Sequence, residues 1–284
     1  MKLNIPKPTT RTDWSPIARA VLMPAAAMLG LALVFLLIAA SVRSSPSSAL
    51  ERRGSERVLY VGDSLSVGTF GELLSNYFVR NYSRVNVAFY ASCGSSPENW
   101  LIGEPVFETK CGYRELVPSK PLVFGDPMHH RTPKIETLLR EHKPTIVFVQ
   151  QGTNWMDRSL SDEKIGAILD RFFWAIHNNA KCRIVWIAPP DSSRFRKVQG
   201  RIYTLIQQRH RRGDIVIDSR RLTRSYVVGK TGGDGIHYRS EAAAQWANRI
   251  IGIFDEILPK PGRKVANIDR IMDAFDGQSD LDPD

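Results

Sequence analysis

The sequence predicts an α/β domain organised around a parallel sheet with helices on both faces. Two observations carry this. Short apolar runs alternate with longer segments of helical period, and the runs are apolar throughout rather than at every second residue. Strands buried on both faces read this way, whereas a strand with one wet face alternates. In chain order the runs are VLYVG (58–62), RVNVAFY (84–90), TIVFVQ (145–150), RIVWIA (183–188) and DIVID (214–218). Apolar residues at helical spacing place helices over 66–80, 134–141, 160–179, 197–212 and 239–257. One connection departs from the rhythm. Between Ser92 and Pro133 the chain holds Pro97, Pro105, Pro118, Pro121 and Pro127 with several glycines, and so long a loop is usually functional or separately tied down. Cys93 and Cys111 lie within it, and a cross-link there would contribute about 3 kcal/mol on the chain-entropy view. Two free thiols are the alternative. Cys182, just before an apolar run, reads as a small buried hydrophobe.

The 284 residues, 43% of them hydrophobic, suffice for one sizeable core, expected over 58–264. Residues 20–42 carry no charge and are long enough to cross a ~30 Å hydrocarbon layer. A retained membrane anchor is expected there, after a cytoplasmic segment at 1–19. A cleaved signal peptide is the competing reading, since Ala39, Ala40 and Ser41 offer a small-residue cleavage site. Basic residues flank the run on both sides, so charge does not orient it. A possible disulfide favours placing the domain outside the cytoplasm, in a periplasmic or extracellular setting. Residues 43–57 read as a flexible linker and 265–284 as an acidic, disordered tail. The net charge of +10 rests on the middle of the chain, because the basic start and acidic end cancel. Such a domain favours anionic surroundings. Its densest basic stretch, 194–213, has the apolar spacing of an amphipathic helix with a solvated basic face. No nucleic-acid motif accompanies it, and no nucleic-acid partner is expected.

Ligands of an open parallel sheet gather beyond the carboxyl ends of its strands. There the sequence places Gly62-Asp63-Ser64, then Ser92-Cys93-Gly94-Ser95, then Gly152-Thr153-Asn154, and, before the last helix, Asp234-Gly235-Ile236-His237. Taken singly, each block has an ordinary reading. Asp63 and Ser64 suit a helix cap, Gly94 a bend, and Asn154 and Asp234-Gly235 turns. Together they bring a hydroxyl, an imidazole with a carboxylate, and a carboxamide to one rim. A serine hydroxyl becomes a useful nucleophile only beside a base, and the base needs an acid to hold its ring.

The order GDS, Gly, GxN, DxxH resembles the SGNH (GDSL) hydrolase superfamily over roughly residues 58–257. The resemblance implies a flavodoxin-like three-layer α/β/α sandwich and ester hydrolysis or acyl transfer without a cofactor. It implies Ser64 as nucleophile, His237 as base and Asp234 as its orienting acid. It further implies an oxyanion hole from the Ser64 and Gly94 N–H groups and the Asn154 carboxamide. One departure stands out: Trp155 follows the asparagine where many members carry aspartate. His129-His130 does not read as a metal site, because adjacent histidines point apart and no third ligand is spaced to join them.

The expected substrate is an O-acylated, chiefly O-acetylated, polysaccharide of the cell envelope or an exported one. Trp100 and Trp155 are the candidate sugar-stacking rings, with Tyr113 and Tyr238 also near the blocks. Three other readings stay open: an O-acetyltransferase with the same residues, a lysophospholipase or thioesterase, and a non-catalytic glycan-binding module. The number of subunits is not legible.

Overall fold

The computed structural model describes residues 56–118, 120–125, 129–156, 160–224, 233–258 and 268–279. The expected anchor at 20–42 and the segments 1–19 and 43–55 lie outside them. Among the described residues no helix is long and apolar enough to cross a membrane.

One sheet contains β1 (Val58–Gly62), β2 (Val87–Ser92), β3 (Tyr113–Leu116), β4 (Val123–Gly125), β5 (Ile146–Gln150), β6 (Arg183–Ile187) and β7 (Ile215–Ile217). Their spatial order is β4-β3-β2-β1-β5-β6-β7. The five strands anticipated from the apolar runs pair in parallel. Around them lie α1 (Thr69–Asn81), α2 (Ile135–His142), α3 (Asp162–Asn179), α4 (Arg196–Gln207), α5 (Ser219–Thr223), α6 (Ser240–Ile257) and α7 (Ile268–Ser279).

Strand residues point alternately to the two faces, so each apolar run feeds two cores. Tyr60, Phe89, Phe148 and Val185 face a core closed by Phe70, Leu74 and Phe78 of α1 and Trp246, Ile250 and Phe254 of α6. Their neighbours Val61, Tyr90, Val149 and Trp186 face a second core under α2, α3 and α4. The three-layer α/β/α architecture follows directly.

Three expectations change. The sheet is mixed, not purely parallel: the proline-rich excursion folds back and adds β3 and β4 as an antiparallel edge. An antiparallel strand near the margin of the sheet needs only one apolar face, and YREL carries no continuous apolar run to announce it. Second, residues 84–86 form a short 3₁₀ turn before β2 rather than part of it. Third, the acidic tail is not disordered over its middle, where α7 forms. Ile268, Ile271 and Met272, at helical spacing, pack against the core beside α5 and α6, and Arg221 pairs with Asp273 at 3.0 Å. The acidic composition masked that three-residue stripe. The remaining tail residues, 265–267 and 280–284, lie outside the described ones. In α4, Ile202, Leu205 and Ile206 are buried. Its flanking cations are partly engaged by α3, with Arg201 on Asp162 and Arg209 on Asp170.

Candidate active site

β1, β2 and β5 end side by side, with Gly62 level with Ala91 and with Gln150. That register brings the loops that follow them to one rim. After β1 the chain turns sharply. Asp63 is fully buried, its N–H donates to the Gln150 carbonyl at 3.1 Å, and its Oδ1 accepts the Leu65 N–H at 3.0 Å. Ser64–Ser66 form one 3₁₀ turn before α1. Beneath it, Tyr60 donates to the Ser66 hydroxyl (2.6 Å), which donates to Gln150 Oε1 (2.6 Å). α1 closes on the turn because residue 71 is glycine: a Cβ there would fall 1.7 Å from the Ser66 carbonyl oxygen. Burial pushes the Asp63 carboxyl up to about 6, against the Leu65 hydrogen bond, looser contacts with Thr153 and Gln150, and the charge of His237. The buried Arg114 of β3 donates to the Val67 carbonyl at 2.9 Å, so this unforeseen antiparallel strand also braces the turn.

The other half of the pair arrives on the loop before α6. His237 Nε2 lies 2.9 Å from Ser64 Oγ, and His237 Nδ1 lies 2.5 Å from Asp234 Oδ2. With Asp234 ionised, Nδ1 carries the proton and Nε2 faces the hydroxyl as an acceptor. Asp234 Oδ1 also accepts the N–H groups of Ile236 (2.8 Å) and His237 (2.9 Å). Partial desolvation pushes the Asp234 carboxyl up. The bonds from the His237 ring and these two N–H groups outweigh it and hold the carboxyl below its ordinary value.

The second and third blocks meet at Ser95. Gly94 has φ +81°, a left-handed conformation that favours glycine. Asn154 Nδ2 donates one hydrogen to the Ser95 carbonyl at 2.7 Å, leaving its second free to donate elsewhere. The Ser95 hydroxyl accepts from Trp100 Nε1 (3.1 Å) and Gln151 Nε2 (3.3 Å). Cys93, joined to Cys111 with 5.4 Å between Cα atoms, ties the loop to the start of β3. Lys134 fastens it further through the carbonyls of Asn99, Glu104 and Pro105.

The candidate stacking rings need correcting. Trp100 and Trp155 are both 0% exposed. Trp100 is held by Ser95, and Trp155 donates to Glu98 Oε2 at 3.1 Å; neither offers a face to a sugar. They are core residues that support the loop. Tyr113 is buried and stacked on His130, while Tyr238 is partly buried and donates to the Asp191 carbonyl at 2.6 Å. His129 pairs instead with Glu108 at 3.1 Å. Among the described residues no group of three or more His, Cys, Asp or Glu side chains is placed to hold a metal ion.

The block after β6, APPDSS, was overlooked. Ser192 Oγ donates to the Gly235 carbonyl at 2.6 Å and its N–H donates to Gln199 Oε1 at 2.7 Å, so this loop props the Asp234–His237 loop. Its position after a strand was the available signal. Beside Ser64 opens a cavity of about 210 Å³, lined by Leu65, Phe70, Tyr238, Ala243 and Trp246 among others. Two larger cavities, near 270 and 360 Å³, share Arg57 at the opposite, amino ends of the strands.

No family model matches the chain, and no curated protein does. Solved structures do. The chain shares the fold of a peptidoglycan O-acetylesterase. That likeness has a TM-score of 0.51 at 9% identity and covers 74% of this chain and 94% of that one. A lipase/acylhydrolase from Enterococcus faecalis aligns at 17% identity and TM-score 0.46, over 73% of this chain and 100% of that one. A carbohydrate esterase family 3 protein from Talaromyces cellulolyticus aligns at 14% and 0.42, over 69% and 95%.

Proposed function

We propose that the chain is a serine esterase of the SGNH type that removes O-acetyl groups from a cell-envelope or exported polysaccharide. The observation that carries this reading is the unbroken line Asp234 Oδ2, His237 Nδ1, His237 Nε2, Ser64 Oγ. Its physical reason is that a serine hydroxyl becomes a useful nucleophile at neutral pH when such a line gives it an oriented base. Ser64 Oγ attacks the ester carbonyl carbon while His237 Nε2 takes its proton. The carbonyl oxygen becomes an oxyanion facing the Ser64 and Gly94 N–H groups and the free hydrogen of Asn154. Among the described residues neither of those two N–H groups donates to a protein acceptor. The intermediate collapses as His237 returns the proton to the departing sugar hydroxyl, leaving acetyl-Ser64. A water, deprotonated by His237, attacks the acetyl carbon, and the Ser64 Oγ–acyl bond breaks as His237 returns that proton to Oγ and acetate leaves. Asp234 keeps the ring in the productive tautomer and stabilises the imidazolium.

The cavity beside Ser64 supports a short acyl group. At about 210 Å³ it falls below the ~300–1,000 Å³ clefts that enclose drug-sized ligands. The fold likeness to a peptidoglycan O-acetylesterase is consistent with an acetylated glycan. The charge-free run at 20–42 supports a membrane-tethered domain, and the Cys93–Cys111 pair supports placing it outside the cytoplasm. Turnover of p-nitrophenyl acetate by the domain, lost in Ser64→Ala, tests the esterase reading; equal turnover by both proteins overturns it. A series from acetyl to octanoyl esters tests the short-acyl reading, which a preference for octanoyl sinks. A reporter fused after residue 58 tests the location.

A further inference from the structure

The proposed esterase leaves the sugar without an aromatic platform, since Trp100 and Trp155 are buried. The wall above Gly94 supplies one. A Cβ placed at Gly94 would sit 3.5 Å from Lys110 Cδ and 3.6 Å from Phe107 Cζ, so both side chains lie against the proposed oxyanion loop. Neither position is adrift. The Lys110 N–H donates to the Cys93 carbonyl (3.3 Å), the Cys93 N–H donates to the Gly112 carbonyl (3.0 Å), and the Cys93–Cys111 link lies between them. Phe107 is held by the Thr132 N–H on its carbonyl at 2.8 Å.

Lys110 is exposed, and among the described residues no carboxylate lies within ion-pair distance of it. The nearby carboxylate, Glu108, is occupied by His129 (3.1 Å) and Arg131 (3.8 Å). A lysine stem laid over glycine keeps its ammonium in water as a compact positive charge. The half-buried Phe107 ring beside it, its Cζ toward Gly94, adds apolar surface. Together they match a ligand unit with a C–H face and a negative charge. We infer that Lys110 and Phe107 form a subsite for a carboxylate-bearing sugar unit of the substrate chain, next to the acetylated one. This deepens the esterase reading and rests on it.

The test compares acetate release from O-acetylated polygalacturonate and from neutral O-acetylated glucomannan, each as kcat/KM relative to p-nitrophenyl acetate. The wild type should prefer the acidic polymer about tenfold at low salt, and 0.5 M NaCl should erase most of that, as screening requires. Lys110→Gln should abolish the preference and Lys110→Glu should invert it; Phe107→Ala should weaken use of both polymers. In parallel, calorimetry reads binding of oligogalacturonate to the Ser64→Ala protein, with and without Lys110→Glu. This readout needs no turnover. If p-nitrophenyl acetate is not hydrolysed but oligogalacturonate binding depends on Lys110, the esterase reading fails and the subsite stands. Equal use of the two polymers, or binding indifferent to Lys110→Glu, overturns the subsite.

Discussion

Ser64 and His237 approach to 2.9 Å, yet one is carried by the sheet and the other by a surface loop. The Ser64 turn follows a central strand and rests on buried Asp63, Ser66, Gln150 and Tyr60. Gly71 clears its path. The Asp234 and His237 side chains are 44% and 46% exposed, and their loop is held by its own hydrogen bonds and by Ser192. The position of Ser64 is therefore a property of the core, and that of His237 a property of local loop chemistry. Changes on the Ser64 side should cost stability first. Changes on the His237 side should cost rate and leave the fold alone.

The strongest check on this contrast is Asp234→Asn. It should lower kcat on p-nitrophenyl acetate by about 10⁴-fold through the wrong tautomer, while thermal unfolding barely moves; a large drop in Tm would erase the distinction. Asn154→Ala should lower kcat by about 10²–10³-fold, as the loss of one oxyanion donor does. Its amide also bonds Ser95, so a modest fall in Tm should accompany it.

On the core side, Asp63 has its carboxyl raised to about 6 in the folded protein. The folded state thus holds its proton more tightly than the unfolded chain does. This group's contribution is fully present below the unfolded pKa, near 4, and is lost as pH rises through 6. Asp63→Asn should flatten the decline in stability between pH 4 and 7, a difference of up to about 3 kcal/mol. Parallel pH–Tm curves for the two proteins would contradict this. Gly71→Ala should cost about 1–3 kcal/mol by overpacking α1 against the Ser66 carbonyl, read by chemical denaturation. The smallest effect belongs to Ser192→Ala. It should remove about 1 kcal/mol of support from the His237 loop, lowering kcat a few-fold while KM for p-nitrophenyl acetate stays close to the parent value.

The parallel strands were legible because strands buried on both faces cannot hide their composition. The gathering of Ser64, Gly94 and Asn154 at one rim was legible because their blocks follow strands whose ends a parallel sheet aligns; the Asp234–His237 block, before α6, had only its own spacing and its place in the chain order. β3, β4 and α7 were not legible: a short antiparallel strand at the sheet margin or a docking helix needs only a few apolar residues, and YREL or IDRIM is too short a pattern to stand out. The tryptophans misled for a related reason. An aromatic residue beside a motif reads the same whether its ring faces solvent or core, and only packing separates the two.

By itself, then, the order of residues determined the five parallel strands and which blocks stand at their carboxyl ends. These follow from local periodicity and chain connectivity. The tertiary structure alone decided which rings are buried, that the proline-rich excursion extends the sheet, that APPDSS props the His237 loop, and that Lys110 lies against Gly94. Those outcomes depend on contacts between residues far apart in the chain, whose energies no local window contains.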